Sequence, residues 1–230
     1  MASAKLLPVT AELIGENRPL RRDAERNRER ILDAAREVFA ERGLDATLHD
    51  IARHAGLGVG TVYRRFANRE ELIDAIFVDV FDELAAIARR ELDNPEPWEG
   101  FVSFFTASVQ MMASDRGLWT VMTTAASKGR NFLVSREVVG ELSERLMRRA
   151  QEAGMLRRDL RPDDMPVFNV ILGSGADFLA DAAPDAWLRY VAVIVDGLRQ
   201  SRDEPTPLPA DVPSPEALDK AMEIWRPGKR

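Results

Sequence analysis

Cysteine is absent from the 230 residues, and histidine is nearly so, with His49 and His54 alone. Without cysteine there is no disulfide scaffold, no thiolate-held zinc and no thiol nucleophile. Two histidines are too few for a histidine-rich metal site. Five apart on one short helix, they share no good face, and no nearby acid is expected to complete a site with them. No catalytic residue, metal ligand or cofactor is therefore expected. Long apolar runs are also missing. Tyr190–Val195 (YVAVIV) is too short to span a bilayer, and Pro8, Glu12 and Glu16 interrupt the first twenty residues before a signal-peptide core can form. A cytoplasmic protein with no membrane partner is the expectation. No region keeps a two-residue apolar alternation, which leaves an all-α fold.

What is present is an uneven distribution of charge. Net charge is −6, yet residues 18–69 hold twelve arginines and eight acids, for +4. The remainder then carries −10. Two accounts of this asymmetry stand: a nucleic-acid module on an acidic body, or a solvated charged surface.

Helical spacing begins near Arg21. Ile31, Ala35, Val38 and Phe39 share a face, and Gly43 ends that helix. Thr47 opens a second helix, with Asp50 placed to complete a capping box. Gly56 closes it by offering a left-handed conformation. A third helix covers about Val59 to Phe66. Asn68, with Glu71 as box partner, caps a long fourth helix whose Leu72, Ile73, Ile76, Phe77, Val80, Phe81, Leu84 and Ile87 imply two packing faces. DNPEPW, 93–98, breaks the chain. Further helices are expected at about 97–114, 117–126, 133–153, 162–181 and 184–201, followed by a proline-rich stretch at 203–213 and a short helix at 214–226. The implied division is a flexible arm at 1–20, a helix-turn-helix domain with its linking helix at 21–92, a helical body at 93–202 and a tail at 203–230.

The run HAGLGVGTVYRRF, 54–66, carries three glycines in five positions. Helices at about 47–55 and 58–66, joined at Gly56, have helix-turn-helix dimensions. On a wheel Val59, Val62 and Phe66 turn inward, while Gly60, Thr61, Arg64 and Arg65 turn outward and Tyr63 lies at the boundary. Gly58 then opens the third helix, and Gly60 keeps its outward turn bare, so backbone amides can approach a phosphate or a base edge. Arg69 sits in the first turn of the fourth helix, where the dipole favours an acid; it is either a phosphate contact or a solvated charge.

The run TLHDIARHAGLGVGTVYRRFANREEL, 47–72, resembles the DNA-binding signature of the tetracycline-repressor (TetR) family, and RERILDAAREVFAERG, 28–43, resembles that family's first helix. The resemblance implies a homodimeric repressor with a three-helix DNA-binding domain and a larger effector-binding domain. Carried over by position, Thr47, Tyr63 and Arg69 would hold phosphates. Gly60, Thr61 and Arg64 would lie at or in the major groove of a double-stranded, near-palindromic operator, with Gly58 and Val59 also counted as DNA-binding. Where the family often has serine followed by a polar residue, this chain has Gly58 and Val59. Arg65, or an arm carrying Arg18, Arg21 and Arg22, would then add contacts.

The body is rich in aromatics and methionine between Trp98 and Phe132. Phe101, Phe105 and Met112 share one face, which is either plain core or the wall of an adaptable cavity. The resemblance favours a cavity for a largely apolar small-molecule effector, with Phe105, Trp119, Met122 and Phe168 as its lining. Gly173, Ser174, Gly175 and Ala176 sit mid-helix. They permit either close helix approach or a kink or cavity wall; the resemblance puts the helices near 162–181 and 184–201 in a four-helix homodimer interface. The alternative function is a small-molecule binding protein with weakened DNA recognition.

Overall fold

The computed structural model describes residues 17–115, 117–119, 121, 129–201 and 214–215. Met122, residues 1–16 of the expected arm and nearly all of the expected tail lie outside the described residues. The described residues form an all-α protein. Its helices are α1 (Asn17–Arg42), α2 (Leu48–His54), α3 (Val59–Arg65), α4 (Arg69–Leu92), α5 (Pro97–Ser114), α6 (Arg130–Glu152), α7 (Asp164–Leu179) and α8 (Trp187–Leu198). A single 3-10 turn at Gly43–Asp45 follows α1, and residues 117–119 and 121 are helical. Among the described residues, no helix is long and apolar enough to cross a membrane.

Helix α1 begins upstream of the expected start. Pro19 falls in its first turn, where a missing N–H leaves no bond unmade. Arg18, Arg21 and Arg22 therefore stand on helix and not on an extended arm. α1 stops where Gly43 takes φ +71. The last helix ends earlier than the apolar pattern suggests. Beyond Leu198 the chain pairs with 155–157: Arg157 N donates to the Leu198 carbonyl (2.9 Å) and Gln200 N to that of Met155 (2.8 Å). This bridge removes 199–201 from α8.

Among the described residues there are two large apolar cores and a small third one at Leu179 and Ala186. The first gathers Ile31, Ala35, Val38 and Phe39 of α1, Ile51 of α2, Val62 of α3 and Leu72, Ile76 and Val80 of α4. It continues across the expected domain border to Phe104, Leu118, Val121 and Phe132. The second gathers Trp98, Phe101 and Phe105 of α5, Met147 of α6, Leu172 and Ala176 of α7 and Trp187, Val191 and Val195 of α8. α4 serves both the small N-terminal bundle and the body, since it also packs on α5 and α6. Its two apolar faces are the reason.

The far end of α4 is held firmly. Arg149 of α6 donates to the Leu92 carbonyl (2.5 Å), left unpaired at the end of α4, and to the Asn94 carbonyl in the turn beyond it (2.8 Å). Glu91 is buried there. Burial pushes its pKa up, but hydrogen bonds from Arg90, Asn94 and Ser103 outweigh that effect and the net shift is downward.

Candidate functional site

The second and third helices are set by local bonds. Thr47 Oγ1 accepts from Asp50 N (3.2 Å), and Asp50 Oδ2 accepts from Thr47 N (3.1 Å), completing the capping box. The Thr47 hydroxyl also donates to Asp50 (2.6 Å). A phosphate on Thr47 would compete for that single proton. Asp50 is held below the usual carboxylate range by the Thr47 hydroxyl and amide first, and then by Arg53 and Arg42.

Gly56 takes φ +63, so the turn needs glycine. Leu57 N donates back to Ala52 O (2.9 Å), which closes a Schellman-type end. Arg30 of α1 braces the same turn through the Ala55 carbonyl (2.7 Å). Gly58 caps α3 in an ordinary extended conformation, and Val62 N reaches its carbonyl (3.4 Å). Nothing lies within 4 Å of where a Cβ at Gly60 would stand. The three glycines thus have three different roles: a turn, a cap and a bare surface.

Helix α3 turns Val62 and the following Phe66 into the core. Val59 is half-buried against that core, so its side chain belongs to packing and not to the outward face. Tyr63 is 53% exposed, an unusual state for a large ring. Arg64 lies beside it and donates to Thr61 Oγ1 (3.2 Å), which aligns the two outward side chains. Arg65 leans away toward Glu25 of α1 (3.6 Å). Arg69 donates to the carbonyl of Leu44 and lies 3.7 Å from Glu70. Its place at the start of α4 therefore has an intramolecular cause. Gly58, Gly60, Tyr63 and Arg64 are exposed, Thr61 is half-buried beside Arg64, and Thr47 and Arg69 stand on neighbouring helix starts.

Residues 31–76 match the family model of bacterial regulatory proteins of the tetR family, and 96–200 match the C-terminal domain of SbtR-like transcriptional regulators. The HTH-type transcriptional regulator UidR of Escherichia coli K12 is 33% identical over 154 residues, 60% of this chain and 73% of that protein. The chain belongs to the TetR family. A solved structure of the TetR regulator SCO0520 of Streptomyces coelicolor superposes with a TM-score of 0.54 at 32% identity, covering 75% of this chain and 98% of that one. A TetR regulator of Mycobacterium vanbaalenii gives 0.55 at 31% identity, covering 79% and 99%. As a TetR-family protein, this chain is a DNA-binding transcription regulator and not an enzyme.

The body brings some of the expected effector residues together. Phe105 is fully buried, stacked on Phe101 (6.2 Å, 8°) and edge-on to Phe168 (6.2 Å, 89°). Trp119 lies over α7 at Gly173, where a Cβ would come within 2.5 Å of its ring. Gly173 and Ala176 are accordingly buried inside the subunit. The outward faces of α7 and α8 instead show Val167, Val170, Ile171, Tyr190 and Val193. Amid the aromatics, Ser108 is buried and bonded to Asn169 (3.0 Å). One surface concavity lies beside Arg145 and Arg149 and another along Arg22–Glu29, both away from these aromatics.

One expectation about histidine is corrected. His54 Nε2 lies 2.5 Å from Glu37 of α1, so an acid does stand beside it. Seventeen residues separate the pair, and only the packing of α2 on α1 unites them. Among the described residues, no group of three potential metal ligands forms. Sequence reasoning also missed Arg149 and Glu91. Glu91 had a signal: it continues the buried Leu84–Ala88 spacing of α4, where an acid needs partners. Arg149 had none, since its acceptors are backbone carbonyls 55 and 57 residues away.

Proposed function

We propose that this TetR-family regulator is a homodimeric, ligand-responsive repressor of a near-palindromic operator. The outward face formed by Gly60, Thr61, Tyr63 and Arg64 is the observation that carries the reading. In it the bare backbone at Gly60, an exposed phenol and an exposed guanidinium stand with the Thr61 hydroxyl that Arg64 bonds. Tyr63 and Thr47 take phosphates, as does Arg69 through guanidinium N–H groups not spent on the Leu44 carbonyl, Thr61 and Arg64 take base edges, and Gly58 and Gly60 allow close approach. Arg65 adds a phosphate contact when it leaves Glu25, and Val59 supports α3 from behind.

The functional division falls at the α4–α5 break, with 21–92 as DNA-binding domain and 93–202 as body. Val167, Val170 and Ile171 follow helical spacing on α7, and Tyr190 and Val193 do so on α8. An apolar row of this kind supports a two-fold interface between copies. The effector is uncharged and mostly apolar. It inserts among Phe105, Phe168 and Trp119, and the neutral Ser108–Asn169 pair can meet one polar group.

The test is retention of genomic DNA fragments by the purified protein at fixed, near-physiological salt, followed by sequencing. Enrichment of a short near-palindrome is expected. Salt-sensitive retention with no enriched site would overturn the operator reading and favour a ligand-binding protein.

A further inference from the structure

Residues 53–69 hold four arginines, and three of them are committed within the subunit. Arg53 bonds Asp50 (2.7 Å), Arg65 lies 3.6 Å from Glu25, and Arg69 bonds the Leu44 carbonyl. Arg64 is the exception. It is exposed, and among the described residues no acid pairs with it. Its hydrogen bond runs from Nη2 to the neutral Thr61 Oγ1 (3.2 Å). The positive charge of Arg64 is therefore unspent.

That bond also leaves the guanidinium able to grip. Nη2 carries two hydrogens; one forms a parallel fork with Nη1 and the other with Nε. Whichever hydrogen Thr61 takes, one complete fork stays free. Thr61 stands three residues earlier, and side chains on a helix lean toward its N-terminus. The bond thus holds the guanidinium against the first turn of α3. Nothing on that turn competes with it. Gly58 and Gly60 have no side chain, a Cβ at Gly60 would meet nothing within 4 Å, and Val59 packs on the core.

A fork of two donors needs two acceptors side by side. Among the major-groove edges only guanine has them, at O6 and N7. Adenine sets a donor beside N7, cytosine offers a donor, and thymine has one acceptor next to a methyl. Resting on the operator reading above, we propose that Arg64 reads one guanine in each half-site through a fork on O6 and N7. The first turn of α3 brings no second fork, so this guanine is the most strongly selected base of the half-site. Thr61 holds the guanidinium in place as well as touching a base edge itself.

The full-length protein is titrated, by fluorescence anisotropy, with the enriched operator duplex. Guanines are replaced one symmetric pair at a time by 7-deazaguanine, which pairs normally and keeps O6 but has no N7. All titrations use one salt concentration, low enough for the variants to bind. One symmetric pair is expected to matter. Its replacement weakens native binding about tenfold or more, the scale of a lost charge-assisted bond, and leaves Arg64→Ala binding unchanged. Arg64→Gln, whose carboxamide matches adenine N6 and N7, is expected to prefer A·T over G·C at that position. Binding that ignores every 7-deazaguanine, as it would with Arg64 on a phosphate, overturns the guanine contact and leaves the operator reading standing. So does a guanine that stays equally sensitive in Arg64→Ala. If Arg64→Ala binds no duplex, Arg64→Gln decides, and a preference that stays with G·C overturns the contact. A native protein that prefers no sequence overturns the operator reading together with it.

Discussion

Arg28 of α1 and Asp79 of α4 face each other through two parallel hydrogen bonds of 2.6 and 3.0 Å. The bond to Asp79 raises the pKa of Arg28, with burial opposing it. The fork ties the N-terminal half of α1 to the middle of α4. We predict that Asp79→Asn lowers unfolding free energy by about 1–2 kcal/mol, the scale of a partly exposed charge-assisted bond. Arg28→Lys, which cannot fork, should lose a similar amount. Urea unfolding measures both, and unchanged midpoints would contradict the role given to the pair.

The glycines make opposite predictions. Gly56 lies at φ +63, so Gly56→Ala should destabilise by about 1–2 kcal/mol. Gly60 is helical with open space around it, so Gly60→Ala should stabilise by up to about 1 kcal/mol. Yet Gly60→Ala should weaken operator binding, because its methyl stands between backbone and DNA. Thermal melts and fluorescence anisotropy on the same samples separate the two effects.

Tyr63 and Arg64 are exposed, so their loss should leave the melting curve in place. Tyr63→Phe removes one phosphate bond and should weaken every duplex about tenfold. Arg64→Ala should also narrow the gap between operator and random duplex, by about 1–3 kcal/mol of discrimination. Binding to both duplexes at one salt concentration decides this.

Asp159 gives a pH signature. The hydrogen bond from Arg157 holds its pKa down at about 2. A depressed carboxylate stabilises the folded state above its unfolded pKa of about 3.9, and that contribution disappears as pH falls toward 2. Carboxyl-carbon NMR should place the Asp159 midpoint near 2 and move it upward in Arg157→Ala. An unmoved midpoint would refute the cause.

Val170 and Ile171 of α7 are 50% and 55% exposed. If they meet a second copy, Val170→Glu with Ile171→Arg should shift sedimentation from dimer to monomer while helicity is kept. Operator affinity should fall with it, since one recognition helix then acts alone.

Much of the fold was legible because its causes are local. Helix periods, the Thr47–Asp50 box, the Asn68 cap and the turn at Gly56 depend on residues within about one turn of each other. Chain order alone therefore predicts them, and the face of α3 follows from its 100° step. The Asn68 cap shows the resolution of such reasoning. Glu71 N bonds Asn68 as expected, but the Glu71 carboxylate reaches Ala67 N (2.7 Å), one residue before the expected partner.

Contacts between distant segments were decided by packing. Glu37 meets His54, Leu44 meets Arg69, Arg36 meets Gly117, and Gly173 faces Trp119. No period encodes these pairs, because each depends on the angle and height at which two helices cross. Side-chain volumes across the whole core set those quantities together. The sequence by itself determined which helices form and which face of α3 stays outside. Only the tertiary structure decided which of its charges and small residues were committed to the fold, and so which remain exposed for a partner.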